Sequence, residues 1–480
     1  MGSIAKLDIS RVAIIGAGAS GLAAAKYLLA EKTFSHVKIF EQRATPGGTW
    51  NYSDLTREPS FAIPRTQPSP LPDQAIWREG GEDVEFITPI YDQLETNIPY
   101  SLMEYTDAAF PQGTTLFPSH QTVFQYLKEY SRGLEPYISY QTQVLDVEKD
   151  PLDSSGPWKV KSLHLKTNTI SEDEFDAIVV ASGHYNDPFV PDIAGLIEFD
   201  KAHPDTIFHS KFYRRPDHYA NKKIIVVGNS ASGVDITAQL SSVARLPILV
   251  SEKEQNPLNS PALNTPTAVY VPEIAEFLPK NRGVRLANGH VETDIDAVIL
   301  CTGFHYSFPF LQNLKPSILV PDGTYAGHLW ENFLYTADPT LALMSIPQRG
   351  IPFPIAEAQS AVISRIWSGR LNPPNQEEME AWVQKEHREK GEGKPIHIIS
   401  YPVDVEYINR LYSLSETASR APDLGLEWNG EGKRPPYWDF EKRWLREKVL
   451  DLKLASRARG DQRHKIKTLK DLGFIFPVEN

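Results

Sequence analysis

The chain has 480 residues, enough for several domains, and its 41% hydrophobic and 23% charged residues are typical of a water-soluble globular protein. The net charge of −12 argues against a general nucleic-acid-binding protein. Cys301 is the only cysteine, which excludes an intrachain disulfide and the paired cysteines of a disulfide reductase.

Neither a membrane span nor a metal site is predicted. The sequence contains no run of about 18 apolar residues, and its first residues lack the apolar segment of a secretory signal. The histidine, aspartate and glutamate residues show no metal-ligand spacing. We therefore expect a cytoplasmic protein without a metal ion, and the sequence leaves its oligomeric state open, a homo-oligomer included.

The first elements in chain order indicate a nucleotide-binding unit. A buried strand is predicted over Arg11–Ile15 and a helix over Ser20–Glu31. A second strand, Val37–Phe40, ends on Glu41, where an acid commonly binds a ribose hydroxyl. In the loop between strand and helix, backbone N–H groups can approach a pyrophosphate at the helix N-terminus. The loop residues are Gly16, Ala17, Gly18, Ala19, Ser20 and Gly21.

The segment that follows Glu41 adds a second signal. Its paired glycines can bring the backbone close to a planar ring system, and its tryptophan can form a wall beside that ring. Taken alone, two glycines before a tryptophan are more typical of a turn and a core aromatic. Their position directly behind the acid favours a ligand site. The residues are Gln42, Gly47, Gly48, Thr49 and Trp50.

Less regular chain follows the first unit. The proline-rich stretch Pro59–Pro72 predicts a loop. Ser119 is expected to cap a helix that runs from about Gln121 to Tyr130. Asn97, directly before Ile98 and Pro99, is by itself typical of a turn.

A second nucleotide unit repeats the pattern. The strand Ile224–Val227 leads into a loop of similar type, and a further strand is predicted over Pro247–Val250. Lys253 beyond that strand can meet the 2′-phosphate of NADPH, whereas Glu252 would oppose a phosphate if it pointed inward. These residues leave NADPH and NADH open. The loop residues are Gly228, Asn229, Ser230, Ala231, Ser232 and Gly233.

Two similar strands indicate how the units are arranged. Asp176–Gly183 and Asp296–Gly303 match position by position, so each glycine loop has its own closing strand. We predict an α/β fold with two Rossmann-like dinucleotide-binding domains, the second inserted into a discontinuous first domain. The first domain would comprise residues 1–183 and 326–480, resuming near Trp330, and the second residues 184–325.

The end of the chain is predicted to be a helical extension. A polar helix is expected from about Gln376 to Lys390. The segment 442–470 is rich in lysine and arginine but contains interspersed acids, which favours a solvated helical face over a phosphate or membrane-surface role.

The motifs together resemble the flavin-containing monooxygenases, and the soluble fungal members most closely. The resemblance extends from Val12 to about Arg370 and depends on the order and spacing of several short matches. These are the loop at 16–21, Glu41, the residues 47–50, Tyr91–Asn97, Phe208–Tyr213, the loop at 228–233, Cys301–Phe304 and Pro354–Gln359.

The chain departs from the family at its identifying motif, Phe-x-Gly-x-x-x-His-x-x-x-Tyr or Phe. His209 and Tyr213 match the second half, but His203 and Asp205 stand where phenylalanine and glycine belong. Tryptophan in place of Tyr213 would have favoured a Baeyer–Villiger enzyme. In this family the segment around His209 is better interpreted as structural linkage between the nucleotide domains than as catalysis.

The resemblance implies FAD in the first domain and NADPH in the second. It places Gly16 to Gly21 on the FAD pyrophosphate, with Glu41 and Gln42 on the adenosine side. It also places Thr96 and Asn97 at the junction of flavin and nicotinamide, with Asn97 the residue expected to matter most for catalysis. Further expected contacts are Gly48, Thr49, Trp50 and Gln359 with FAD, and Ser230, Ala231, Ser232, Gly233 and Lys253 with NADPH.

The implied activity is transfer of one oxygen atom from O₂ to nitrogen or sulfur of a small molecule, through a C4a-hydroperoxyflavin. Two alternatives stay open: Baeyer–Villiger oxygenation of a ketone, and a dinucleotide-binding redox sensor without turnover. Product analysis separates the first alternative, and NADPH consumption without an added partner excludes the second.

Overall fold

The computed structural model describes residues 7–58, 61–78, 80, 83–150, 155–253 and 265–477. Within the stretch predicted as a proline-rich loop, residues 59 and 60 lie outside these ranges. Residues 61–72 contain neither helix nor strand.

The helices are α1 (Ala19–Ala30), α2 (His120–Tyr130), α3 (Leu196–Ala202), α4 (Ala231–Leu240), α5 (Pro352–Trp367), α6 (Gln376–Lys390), α7 (Val403–Glu416), α8 (Glu427–Gly430), α9 (Phe440–Glu447) and α10 (Val449–Arg457). The strands are β1 (Arg11–Ile15), β2 (His36–Phe40), β3 (Ile76–Trp77), β4 (Val84–Glu85), β5 (Ile138–Ser139), β6 (Thr142–Lys149), β7 (Trp158–His164), β8 (Thr169–Phe175), β9 (Ala177–Val180), β10 (Asp187–Pro188), β11 (Ile207–His209), β12 (Lys223–Val227), β13 (Arg245–Glu252), β14 (Ala268–Pro272), β15 (Ile274–Leu278), β16 (Gly283–Leu286), β17 (Val291–Glu292), β18 (Ala297–Leu300), β19 (Phe304–His305), β20 (Leu329–Trp330), β21 (Leu334–Tyr335) and β22 (Leu341–Leu343).

The first nucleotide unit is built on a seven-stranded sheet in the order β20-β21-β22-β9-β1-β2-β5. Its central strands are parallel, with Ile14 of β1 between Ile39 of β2 and Val179 of β9. Residues Val12–Ile15 of β1 and Ala177–Val180 of β9 are apolar and buried, as expected when helices cover a parallel sheet. β22 pairs in parallel with β9, so the chain beyond residue 329 returns to the first sheet.

The second unit has a five-stranded sheet in the order β11-β18-β12-β13-β14, and all of its pairings are parallel. The predicted α/β fold with two Rossmann-like domains is confirmed. Most predicted elements agree with the structure to within one or two residues.

The two glycine loops have the same close approach to their closing strands. A Cβ on Gly16 would lie 2.6 Å from the carbonyl oxygen of Ala181, and one on Gly228 would lie 2.5 Å from that of Cys301. Both glycines have positive φ angles, 106° and 100°. Only glycine combines that backbone conformation with so little space, so sequence and packing agree on where each loop turns.

The C-terminal part covers the first sheet. α5 packs against α1, and its residues from Phe353 to Trp367 are buried. α6 begins with a capping box formed by Asn375 and Glu378, which explains why its start was predictable. None of the helices in the described ranges is both long and apolar enough to cross a lipid bilayer.

The interpretation of segment 442–470 as a solvated face is wrong for several of its residues. Lys453 on α10 is only 7% exposed. Arg446, Arg457 and Arg463 form ion pairs with acids of other segments. The pattern of alternating charge could not reveal these contacts, because the partner acids lie far away in the sequence.

Candidate functional site

A cleft of about 1110 Å³ opens at the carboxyl ends of β1, β2 and β9. Its volume exceeds the ~300–1,000 Å³ that one drug-sized ligand occupies. The carboxyl ends of parallel strands are the usual ligand-binding edge of such a sheet. Most of the predicted FAD contacts line this cleft: Gly16, Gly18, Ala19, Ser20, Glu41, Gln42, Gly48, Thr49, Trp50, Thr96 and Asn97.

Two glycine backbones meet on the floor of the cleft. A Cβ on Gly48 would lie 2.8 Å from the Cα of Gly18, so Gly48 has no room for a side chain, whereas a Cβ on Gly18 would lie 3.4 Å from the Cα of Gly48. Gly18 is also the N-cap of α1, and as a glycine it has no side chain that could occupy the N–H groups of the first turn. The free N–H groups and the helix dipole suit a pyrophosphate, so these residues fit FAD.

Glu41 holds the glycine loop in place as well as lining the cleft. Its carboxylate accepts hydrogen bonds from the N–H groups of Ala17 and Arg43, each at 2.8 Å. Burial raises the pKa of this carboxyl, and the nearby Arg43 opposes the rise. Each oxygen keeps a lone pair for a ribose hydroxyl.

The glycine-tryptophan segment forms a short turn over residues 48–50 beside the cleft. Trp50 packs edge-on against Phe353 of α5, with ring centroids 6.5 Å apart. Gln42 connects to the far rim, because its amide donates to Asp73 at 3.0 Å.

Asn97 is exposed to the cleft, whereas Thr96 before it is buried. The Thr96 hydroxyl donates to the carbonyl oxygen of Ile98 at 2.8 Å, and its N–H donates to Pro118 at 2.9 Å. The side-chain amide of Asn97 makes no hydrogen bond to any of the described residues. It can therefore donate to and accept from a ligand.

The second glycine loop lies outside the lining of this cleft. Ser230 and Ala231 are exposed at the start of α4, and Gly233 is buried against Gly228. Ser230, the N-cap residue of α4, makes no side-chain hydrogen bond to the first turn of that helix. The N–H groups of that turn are thus available to a second pyrophosphate, and these residues fit the coenzyme.

The end of β13 shows the direction of the Glu252 side chain. Glu252 accepts a hydrogen bond from the Asn229 amide at 2.9 Å, so it faces the glycine loop. Lys253 is exposed next to it.

Gln359 is predicted to contact FAD, but it is fully buried and does not line the cleft. Its amide accepts from the N–H of Ser345 at 2.8 Å and donates to Tyr407 at 2.9 Å. Ser345 in turn hydrogen-bonds Ser20 of α1 at 2.8 Å. Gln359 therefore reaches the cleft only through Ser345.

Sequence reasoning missed two features of the site. His184 lines the cleft, and its Nε2 has no hydrogen-bond partner in the described part of the chain. Burial lowers the pKa of His184 to about 4, so the ring is neutral at neutral pH. The sequence signal that could have indicated His184 is its position directly after Gly183, the glycine that ends the first closing strand. The second feature is a hydrogen bond at 2.5 Å from Tyr91 to Asp235 of α4, which no sequence pattern indicated.

The family-motif segment contacts the closing strand of the second unit. His209 Nε2 donates to the carbonyl oxygen of Gly303 at 3.0 Å, while Nδ1 accepts from the N–H of Lys211 at 3.1 Å. Burial lowers the pKa of His209 to about 3, so the ring is neutral. Asp205, where the family has glycine, has a φ of 62°, the left-handed conformation that glycine favours.

The fold and these two loops define a protein that binds two dinucleotides, as flavoprotein oxidoreductases do. A family model described as flavin-binding monooxygenase-like matches residues 74–260 and 267–427. A model for the NAD(P)-binding Rossmann-like domain matches residues 14–64. The chain belongs to the flavin-containing monooxygenases, as predicted.

Named relatives agree with this assignment. Flavin-containing monooxygenase iboF of Amanita muscaria is 34% identical over 84% of this chain and 87% of that protein. The thiol-specific monooxygenase of Saccharomyces cerevisiae is 32% identical over 76% of this chain and 78% of its own. The structure of S-allyl-L-cysteine S-oxygenase from Allium sativum is 26% identical, covers 98% of both chains and has a TM-score of 0.76. The protein is thus an FAD- and NADPH-dependent monooxygenase.

Proposed function

We propose that this enzyme transfers one oxygen atom from O₂ to a nucleophilic sulfur or nitrogen atom of a small molecule. The reaction balances as substrate, O₂, NADPH and a proton giving oxygenated substrate, water and NADP⁺. The observation that carries the proposal is the Asn97 amide, which is exposed to the cleft and makes no hydrogen bond within the described residues. A relative named as thiol-specific and another as an S-oxygenase support sulfur as the first atom to test.

The chain contributes binding and orientation. FAD, when bound, would supply the redox chemistry that activates O₂. Gly16, Gly18 and Ser20 would hold its pyrophosphate at the start of α1, and Glu41 would hold its ribose. The Asn97 amide can both donate and accept, so it would hydrogen-bond the nicotinamide coenzyme and the flavin.

Exclusion of water is the second task of the site. Phe353 lines the cleft between Trp50 on one side and Tyr105 on the other, with the Tyr105 ring stacked at 5.3 Å between centroids. A dry, apolar wall of this kind lowers the chance that reduced oxygen escapes as hydrogen peroxide before it meets the substrate.

Replacement of Asn97 by leucine tests the proposal. We expect Asn97→Leu to retain FAD and to consume NADPH, but to release hydrogen peroxide. Product per NADPH should fall by on the order of tenfold or more, since loss of one preorganised hydrogen-bonding group typically costs at least this much. NADPH, peroxide and product would be measured together with thioethers, thiols, amines and ketones as probes.

Asn288→Leu is a matched control, because Asn288 lies exposed in the turn between β16 and β17. Wild-type product yield in Asn97→Leu would remove Asn97 from the mechanism. A lactone or ester from a ketone, with no oxidation of sulfur or nitrogen, would favour the Baeyer–Villiger alternative.

A further inference from the structure

The loop that carries Asn97 contacts the C-terminal helix α10. The ammonium of Lys453 donates a hydrogen bond to the carbonyl oxygen of Thr96 at 2.7 Å. That carbonyl belongs to the peptide that joins Thr96 to Asn97. The same ammonium lies 4.6 Å from the centre of the Phe117 ring.

The burial of Lys453 is unusual for a lysine. Lysine is among the residues least often buried, because removal of its charge from water costs free energy unless partners replace the water. Here Lys453 is 7% exposed, and Glu95 lies 3.8 Å from its Nζ. Burial lowers the pKa of Lys453 to about 8, while Glu95 acts in the opposite direction.

Glu95 anchors two more residues of the C-terminal segment to the same loop. Arg463 Nε lies 3.2 Å from one of its carboxylate oxygens, and His464 Nδ1 lies 2.9 Å from the other. Two residues after His464, the carbonyl oxygen of Ile466 accepts a hydrogen bond from the N–H of Leu116 at 2.8 Å. Lys453, Arg463 and His464 thus contact this loop without lining the cleft themselves.

One turn along α10, Arg457 connects to the coenzyme unit. It pairs at 3.1 Å with Asp235, which lies in α4 just after the second glycine loop. The other oxygen of Asp235 accepts from Tyr91, at the start of the segment that leads to Asn97. α10 therefore bridges the Asn97 loop and the helix at whose N-terminus the coenzyme pyrophosphate binds.

We propose that Lys453 is a positioning residue for Asn97, and that α10 couples the placement of Asn97 to that of the coenzyme helix through Arg457 and Asp235. Lys453 acts through the Thr96 peptide and touches neither cofactor nor substrate. The proposal rests on the proposed role of Asn97. It gives a positioning role to part of segment 442–470, which the charge pattern alone indicates to be a solvated surface.

The test compares the FAD-loaded variants Lys453→Met and Lys448→Met. Methionine keeps the apolar stem of lysine but removes the donor, and Lys448 pairs with the neighbouring Glu447 at the surface. Amide hydrogen exchange of residues 94–98 should become faster on the order of tenfold in Lys453→Met, the factor expected when one charge-assisted hydrogen bond is lost. NADPH consumption without added substrate should rise, with hydrogen peroxide as the product, and neither value should change in Lys448→Met.

A double variant shows whether Lys453 acts through Asn97. Adding Lys453→Met to Asn97→Leu should raise peroxide formation no further, since residues that act through one another are not additive. Unchanged exchange, unchanged peroxide, or fully additive effects would each overturn the proposal. If Asn97→Leu alone leaves peroxide unchanged, the role of Asn97 fails, whereas the exchange rate still reports whether Lys453 holds the loop.

Arg463→Met provides a second variant in case Lys453→Met does not fold. Arg463 is half-buried and reaches the loop only through Glu95. A smaller change in exchange and peroxide, in the same direction, supports the proposal. No change in either quantity overturns it.

Discussion

Asp205 adopts a backbone conformation that favours glycine, at the position where the family motif has glycine. Its φ is 62°, and its side chain is exposed beside Arg57. The ion pair between two exposed side chains contributes little to stability. We expect Asp205→Gly to raise the free energy of unfolding by ~0.5–1 kcal/mol, because the left-handed conformation strains an L-residue.

Urea denaturation of Asp205→Gly and Asp205→Asn checks this prediction. Asparagine removes the charge but keeps the side chain at the strained position, so it should change stability little. If both variants gain equally, charge rather than backbone strain is the cause. The departure from the family motif is thus a substitution that the same backbone accommodates.

For single residues too, the local sequence indicated only some of those that line the cleft. Glu41 was predictable because it ends a strand directly after a glycine loop. Gln359 was assigned to FAD, but only its contact with Ser345 connects it to the cleft. Side-chain direction on α5 depends on the packing of that helix, which no local pattern reveals.

The two glycine loops offer a matched pair of elements. Gly18 and Ser230 occupy the same place in each loop, and both have extended φ angles, −79° and −102°, that any residue can adopt. A valine at either position therefore tests space rather than backbone strain. The side chain of Gly18→Val would project where two glycine backbones approach each other.

We expect Gly18→Val to fold but to lose bound flavin, visible as a colourless protein with unchanged far-ultraviolet circular dichroism. Ser230→Val should keep the flavin, while half-saturation of flavin reduction requires on the order of tenfold more NADPH, since a side chain would crowd one phosphate-binding loop. Equal flavin loss in both variants would contradict the assignment of one dinucleotide to each loop.

Element boundaries were predicted well wherever local chemistry marks them. α6 starts at a capping box, and α2 starts after Ser119, whose hydroxyl accepts from the N–H of Thr122. The basic segment 442–470 was misjudged because the acids that pair with it, Glu95 and Asp235, are remote in sequence.

The buried His397 joins two distant parts of the chain. His397 follows α6 and contacts the chain near its return to the first sheet: Nδ1 donates to Asn332 at 2.8 Å, and Nε2 accepts from Ala326 at 3.1 Å. Burial lowers the pKa of His397 to about 3. Between pH 6.5 and 3 the unfolded chain binds a proton there that the folded protein does not, so stability falls as the pH falls below 6.5.

Lowering the pH from 7.5 to 5 should therefore destabilise the wild type by about 2 kcal/mol more than His397→Gln. Glutamine keeps a donor and an acceptor, and any packing change cancels in the comparison between the two pH values. Urea titrations of both proteins at each pH give the four free energies required. Equal acid sensitivity of the two proteins would contradict the predicted role of His397.

The sequence by itself determined the two Rossmann units, the two glycine loops and the family. Those features depend on residues close together in the chain, where strand, turn and helix follow from local backbone chemistry. Tertiary structure alone decided that Lys453 hydrogen-bonds the peptide before Asn97, that His184 lines the cleft, and that Tyr91 hydrogen-bonds Asp235. These contacts join residues far apart in the sequence, and only packing of the complete chain brings them within hydrogen-bonding distance.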